Sequence, residues 1–425
     1  MKIRNNRWVD SLIATAFIFL VMWGLSGLFN AFEAIDPIGE ALADVEFTDV
    51  VYSKLREDPM AEDDIVLVNM GTLPRAGVAE QIKIISKYNP KVIGVDSFFP
   101  FPKDEEQDSL LAEALNEVET LVMASKVLNF VEEESGKWYY DSLKLSDPKF
   151  RDNAIFAHAN LVTDEGVTQE DVKTNRVFNP VLPYKSDSSQ MAFAVKIASI
   201  YAPEKAEKFL ARNNEVEYIN YKGNSLGSQS NFATTFFALD VHDVFQENFV
   251  PEMIEGKIVL FGFLGRFFGD RYNIEDKYFT PLNKKYAGRG EPDMYGVVIH
   301  ANIISMILDE DYVGTISNEL QILIAILLCY LNVVAFMWVY YRLPAWYDGI
   351  TKLAQLIELI LIVGLIIYAY HLYDWILDLT IAMAAVALVG DSLEVYNGVV
   401  KNIFTKEGRK ELFKVQKKKK EVVIN

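Results

Sequence analysis

Four long apolar runs divide the chain, at residues 8–29, 319–341, 353–370 and 375–395. Each is about as long as the ~20 residues an α-helix needs to cross a hydrocarbon core of ~30 Å. The segment between the first and second runs, residues 30–318, has a different pattern, with short β-branched runs alternating with stretches of helical spacing. "IVLVNM" (65–70) predicts a buried strand, 75–88 a helix, and "KVIGVDSFF" (91–99) a second strand. A helix over 107–117, with Asp104 or Asp108 near its start, and a strand at "TLVMASKV" (120–127) follow. Such a β-α-β-α-β order predicts an α/β domain with a mainly parallel or mixed sheet and flanking helices, beside four transmembrane α-helices. Residues 130–190 are less regular. Order returns with a helix near 190–201, a strand at "EVEYINY" (215–221) and the clearest strand, "KIVLFGF" (257–263). After a loop rich in glycine and charge, "MYGVVIHANIISMILDEDYV" (294–313) predicts a helix that leads, after a short turn, into the second apolar run.

The basic residues give the spans a direction. Lys2, Arg4 and Arg7 precede the first run, Arg342 and Lys352 flank the short loop at 342–352, and lysines crowd the end. Because positive residues stay in the cytoplasm, both termini are expected there. The first run exceeds a signal-peptide core and has no A-x-A-like site close behind it, so it is read as an uncleaved anchor. The expected layout is a cytoplasmic N-terminus (1–7), transmembrane helix 1 (8–29), a periplasmic α/β domain (30–318), transmembrane helices 2 to 4 (319–341, 353–370, 375–395) and a basic cytoplasmic tail (396–425). Asn332, Gln355 and Glu358 inside the spans fit either an ion path or hydrogen bonds between helices.

Composition narrows the classes. An apolar fraction of 51% with 24% charged residues averages membrane helices and an ordinary soluble domain. The net charge of −18 argues against a nucleic-acid surface. With Cys329 the single cysteine, no intrachain disulfide or cysteine metal site can form. No N-x-S/T sequon occurs, and both absences favour a bacterial inner (cytoplasmic) membrane with the domain in the periplasm.

Candidate chemistry gathers where open α/β sheets hold ligands, beyond the carboxyl ends of the strands. Asp96 closes "KVIGVD", and Gly262 and Gly265 follow "KIVLF". Neither glycine fits a phosphate-loop or dinucleotide pattern, and no cofactor is expected. His300 is one of only four histidines and falls near the first turn of its helix. A helix start facing the 262–276 loop would bring His300, Thr280 and Asp96 into one cleft, where a neutral imidazole could hold a ligand or titrate near neutral pH. Equally, His300 could tie a buried aspartate or carbonyl. His158 and His300 with Asp96 or Asp276 could supply metal ligands, but no spacing demands it and no metal is expected. There is no G-x-S-x-G elbow and no histidine clearly partnered to a serine, so no enzymatic activity is expected.

"KVIGVDSFF", "GKIVLFGF", "DKYFTPL" and "YGVVIHANIISMIL" stand in that order between one anchor and three trailing spans. Together they resemble CHASE2, an extracytoplasmic domain of bacterial sensor proteins, over about residues 64–312 and into the trailing spans. The resemblance implies motif residues at Asp96, Gly262, Thr280, Pro281, Gly296, His300 and Ala301, with the aspartate ahead of Thr-Pro being Asp276 or Asp270. Where the family places acidic residues after its first strand, this chain has "NMGTLPR", with Asn69 and Gly71. CHASE2 sensors usually signal to a cytoplasmic output domain, whereas only about 30 residues follow the last span here. The expectation is a sensory or accessory module acting through a separate cytoplasmic signalling protein. The other reading is a structural subunit of a multi-protein cell-envelope complex, with "GKWYYDSLK" as contact surface. The sequence leaves a homo-oligomer open.

Overall fold

A computed structural model describes residues 7–33, 49, 51–55, 61–161, 174–185, 187–225, 234–270, 273–283 and 291–401. It divides into an outer unit, 44–313, and a helical unit formed by 1–43 with 314–425. The outer unit carries 45 acidic against 27 basic residues, so the whole chain's net charge of −18 resides there.

The chain opens with helix α1 (Arg7–Glu33) and enters the outer unit's sheet at β1 (Glu62–Asn69). Helix α2 (Arg75–Ser86), β2 (Val92–Val95), α3 (Glu105–Asn116) and β3 (Leu121–Glu132) follow, the order read from the sequence. Asp104 caps α3 by accepting from the Gln107 N–H at 2.9 Å, and three more acidic residues in the first turn suit the helix's positive end. Asp108 does not cap. It is buried against the Arg75 guanidinium, whose other arm donates to the Phe101 carbonyl at 2.6 Å. Strand β2 is shorter than its apolar run suggests. Phe99 leaves the sheet to take a hydrogen bond from Asp147 N–H to its carbonyl at 2.8 Å, and its ring meets that of Phe150.

Strands β4 (Trp138–Lys144), β5 (Ala154–His158), β6 (Val177–Phe178), β7 (Val181–Tyr184) and β8 (Ser188–Met191) fill the irregular middle. Helices α4 (Phe193–Tyr201) and α5 (Pro203–Leu210) precede β9 (Glu217–Tyr218), β10 (Asn224–Ser225) and β11 (Thr234–Leu239). Short α6 (Val241–Phe245), β12 (Ile258–Gly262), β13 (Lys277–Tyr278), β14 (Met294–Tyr295) and α7 (Gly296–Asp309) complete the unit. The expected strand at 215–221 shrinks to two residues, because Ile219 N–H turns to the Arg176 carbonyl and β9 pairs with β6 outside the main sheet.

The main sheet runs β10-β11-β1-β12-β2-β3-β4-β7-β8, with β5 also beside β3. From β10 through to β5 the pairs are parallel, while the far half of β3 folds back on β4 as a hairpin. One face buries Val68, Val95, Met123 and Phe261 under Ile82 and Ile85 of α2 and Leu111 and Leu115 of α3. Each such fully buried side chain contributes on the order of 1.5–3 kcal/mol. The other face carries α4 and α7. They lie close because Gly94 and Gly262 lack side chains: a Cβ at Gly94 would come within 2.7 Å of Ile197, and one at Gly262 within 2.5 Å of Val297.

The helical unit adds β15 (Gly314–Thr315), α8 (Asn318–Arg342), α9 (Tyr347–Tyr373), β16 (Trp375–Ile376) and α10 (Thr380–Val395). Among the described residues, four of its helices are long and apolar enough to cross a membrane. Its polar side chains join helices to one another: Asn332 Nδ2 donates to Glu358 Oε2 at 2.8 Å, and Gln355 Nε2 to the Val386 and Ala387 carbonyls at 2.7 and 2.8 Å. Lys352 pairs with Asp391 at 2.7 Å, and Asp10 accepts from Tyr396 and Lys401.

Candidate functional site at the carboxyl edge of the sheet

The carboxyl ends of β1, β11, β12 and β2 lie side by side, and each ends on a residue with a task. At β1, Asn69 donates to Asp240 Oδ1 at 2.8 Å and to the Gly265 carbonyl at 3.1 Å. Its Oδ1 accepts from Gly71 N–H at 3.0 Å and Leu264 N–H at 2.9 Å. Asp240, just past β11, also accepts from Val241 and Phe268 N–H. With both side-chain polar atoms of Asn69 bonded, this residue locks the loop after β12.

The neighbouring strand end is different. Asp96 follows β2 on the face that carries Gly94, so it points toward the α4 and α7 layer. It is half-buried; its N–H donates to the Phe261 carbonyl at 2.8 Å, while its carboxylate has no hydrogen-bond or ion-pair partner among the described residues. Burial, and secondarily the charge of Asp276, raise its pKa well above the usual carboxylate range. Asp276 stands at the rim in the left-handed region, φ 57°. Its backbone carbonyl accepts from Gly296 N–H at 3.1 Å, and a Cβ on Gly296 would lie 3.4 Å from both its carboxylate oxygens. Burial and Glu275 push Asp276 upward too, although its solvent exposure screens the effect. Tyr278 lies within reach of both charges, which, after burial, raise its hydroxyl pKa.

Asp276 therefore stands at the start of α7, with Asp96 near enough for the two charges to repel. The positive end of a helix offsets about half a charge, so the two carboxylates, when both are ionised, leave this edge with excess negative charge. Such a pair can take up a proton or a cation, and either would relieve the repulsion.

The remaining sequence-selected residues divide. Asp270 is not beside Asp96: buried, it accepts from Arg266 Nε at 2.6 Å and Nη2 at 3.2 Å. Thr280 binds Asp293 through both its N–H (2.9 Å) and its hydroxyl (2.6 Å), closing the β13–β14 hairpin, and Pro281 is buried beside it. Burial of Asp293 outweighs these bonds and pushes its pKa up to about 6. Gly262 and Gly296 are where the backbones of β12 and α7 must come close.

Among the described residues no contact joins His300 to Thr280 or Asp96. Its ring, 3% exposed, meets the edge of Phe193 at 5.2 Å, and burial drives its pKa down to about 3. It is neutral throughout the physiological range. Its Nδ1 is buried without a partner among the described residues, so on that side it ties none of their aspartates or carbonyls. His158, 1% exposed at the end of β5, bridges Ala192 next to Phe193 and is likewise pushed to about 3, by burial first and the charge of His300 second. No three His, Cys, Asp or Glu side chains converge as metal ligands among the described residues.

Sequence reasoning missed Asp293 and Asn302. Asn302 is fully buried. Its Oδ1 accepts from Lys222 and Gly223 N–H at 2.8 and 3.1 Å, and its Nδ2 donates to the Gly223 and Val298 carbonyls at 2.9 and 2.8 Å. An amide within the apolar run "VVIHANIISMIL" is the signal that could have marked it.

No curated protein and no solved structure matches the chain. A family model described as the CHASE2 domain matches residues 42–336, more than half of the sequence. With one long apolar helix ahead of the domain and others behind it, that match settles the family: the chain belongs to CHASE2, a family of extracellular sensory domains, and is a membrane protein.

Proposed function

We propose that this is a bacterial inner-membrane sensory or accessory protein whose periplasmic domain binds a ligand or envelope component at the carboxyl edge of its sheet. It has no chemistry of its own, keeps both termini in the cytoplasm, and acts through a separate cytoplasmic partner. One observation carries the reading. The carboxylates of Asp96 and Asp276 have no partner among the described residues, Asp276 stands against Gly296 at the start of α7, and α7 continues through residues 310–317 into α8. Neutralising the pair changes the electrostatics at the first turn of the helix that leads to the membrane, so a ligand there can favour one of two states.

The test is thermal unfolding of the full-length protein in nanodiscs with Mg²⁺, spermidine and simple alkylammonium ions, beside Asp96→Asn, and a crosslinking pull-down from native membranes. A cation-dependent rise in Tm that the variant lacks, with recovery of a cytoplasmic signalling enzyme, supports the reading. No response to any cation, with only envelope proteins recovered, sinks it and favours the structural-subunit reading. For that second reading the β3–β4 hairpin offers a platform, where Phe130, 53% exposed, stacks on Trp138 at 5.8 Å.

A further inference from the structure

Helix α4 begins without a cap. A helix leaves its first N–H groups without intrahelical partners, and a side-chain oxygen or water usually takes them. Here the capping position is Ala192, which has no side-chain oxygen to offer. The Ala194 and Val195 N–H groups meet no acceptor among the described residues, and both residues are fully buried, which shuts out bulk water.

Other unpartnered polar atoms gather at the same place. His158, at the end of β5, bridges Ala192 itself, and neither of its ring nitrogens has a hydrogen-bond partner among the described residues. The Asn179 backbone lies close by but closes no hydrogen bond with the ring. Ser125 stands opposite His158 in the β3–β5 register, and its buried Oγ is unpartnered too. The His300 ring meets Phe193, the first residue of α4, at 5.2 Å, and is near enough to His158 for one charge to act on the other. Its Nδ1 completes the set. Four of the eleven buried unpartnered side-chain atoms among the described residues therefore lie around the first turn of α4. Buried polar groups in folded proteins are nearly always paired, so a local surplus of this size marks a position where something else makes the bonds.

The donors define what fits. Two backbone N–H groups stand at the positive end of the helix dipole, which favours a negative charge. The neutral imidazoles each keep one N–H donor, and a serine hydroxyl can turn to donate. No hydrogen bond or ion pair among the described residues brings a carboxylate to any of these side-chain atoms. All of them lie out of contact with solvent, so the occupant is small. The outer unit's surplus of acid opposes any anion at long range, which leaves the affinity to these local donors. We infer that the first turn of α4, with Ser125, His158 and His300, forms a buried site for a small monovalent anion of the size of chloride or formate. The site depends neither on the Asp96–Asp276 pair nor on the sensory reading above.

The test is a titration of the full-length protein in nanodiscs, from sodium gluconate into chloride, bromide or formate at constant ionic strength and pH 7.5, followed by NMR of the histidine rings. The chain has four histidines, and His242 and His371 are exposed, so these two report the general effect of salt. The His158 and His300 resonances should shift together and saturate, with a parallel rise in Tm, while those of His242 and His371 do not. His158→Phe should raise the half-saturating anion concentration at His300 by about tenfold or more, the worth of one hydrogen bond to a charged group, while the outer unit still unfolds cooperatively. No saturable shift with any of the three anions overturns the site, as does a shift of all four rings in proportion to salt. A saturable shift that His158→Phe leaves unchanged also overturns it, because the anion then binds elsewhere. Should His158→Phe fail to fold, Ser125→Ala takes its place, and an unchanged half-saturation in that variant overturns the assignment.

Discussion

Acidification should expose the cost of burying the two histidines. A ring harder to protonate folded than unfolded contributes its full stability above the unfolded pKa of about 6.5 and loses it as pH falls toward the folded value. For His300, folded at about 3, the decline spans roughly pH 6.5 to 3. At pH 5, about 1.5 pH units below the unfolded pKa, the loss is about 2 kcal/mol, and His158 adds a similar amount. Asp96, Asp276 and Asp293 act in the opposite direction. Their folded pKa values are raised, so their contribution is fullest at low pH and is lost as pH rises. Comparing two proteins cancels that background. Urea unfolding of the outer unit in the full-length protein, followed by near-ultraviolet circular dichroism at pH 7.5 and pH 5, gives the change for wild type and for His300→Gln. Wild type should lose about 2 kcal/mol more than the variant over this interval. Parallel profiles, within about 0.5 kcal/mol, would refute the reasoning, because they would mean that the folded ring is protonated as easily as the unfolded one.

The other predictions concern the carboxyl edge and α7. Asp96→Asn removes one of two repelling carboxylates and should stabilise the outer unit by about 1 kcal/mol at pH 7.5, read as a rise in Tm that fades by pH 5. Gly262→Ala places a Cβ against Val297 and should cost about 1–3 kcal/mol in urea unfolding, and a neutral result would show that α7 shifts freely away from β12. Asn302→Ala leaves the Lys222 and Gly223 N–H groups without their acceptor and should cost about 2–4 kcal/mol, with faster hydrogen exchange at those two amides.

Much of the candidate site could be picked out in advance, though not its pairings. Asp96, Gly262, Asp276 and Gly296 stand out in the sequence as an acid at a strand end, an acid in a loop and glycines at strand and helix ends, and in the fold they meet. Thr280 and Pro281 stand out equally, but their partner Asp293 lies beyond a loop in a stretch with no pattern of its own. Spacing points two ways, since Asp276 lies closer to Thr280-Pro281 and Asp270 closer to the glycine loop. The bidentate contact with Arg266 takes up the first, and the approach of Gly296 selects the second.

The sequence by itself determined the four apolar helices, the α/β class and the buried runs that become β1, β2, β3 and β12, but not β11. Those features follow from hydropathy and side-chain shape repeating over a few neighbouring residues, and neighbours in the chain are enough to express them. Strand order was decided only by the tertiary structure. β12 inserts between β1 and β2, and β11 lies on the outer side of β1, because buried parallel strands read as similar β-branched runs that do not name their neighbours. The same holds for the site. Asp96 and Asp276 stand 180 residues apart, and the environment that perturbs them exists only once β2, the loop after β12 and α7 have packed together. His300 is neutral for a similar reason: its own helix supplies only its position, and Phe193 with the burying layer sets its charge.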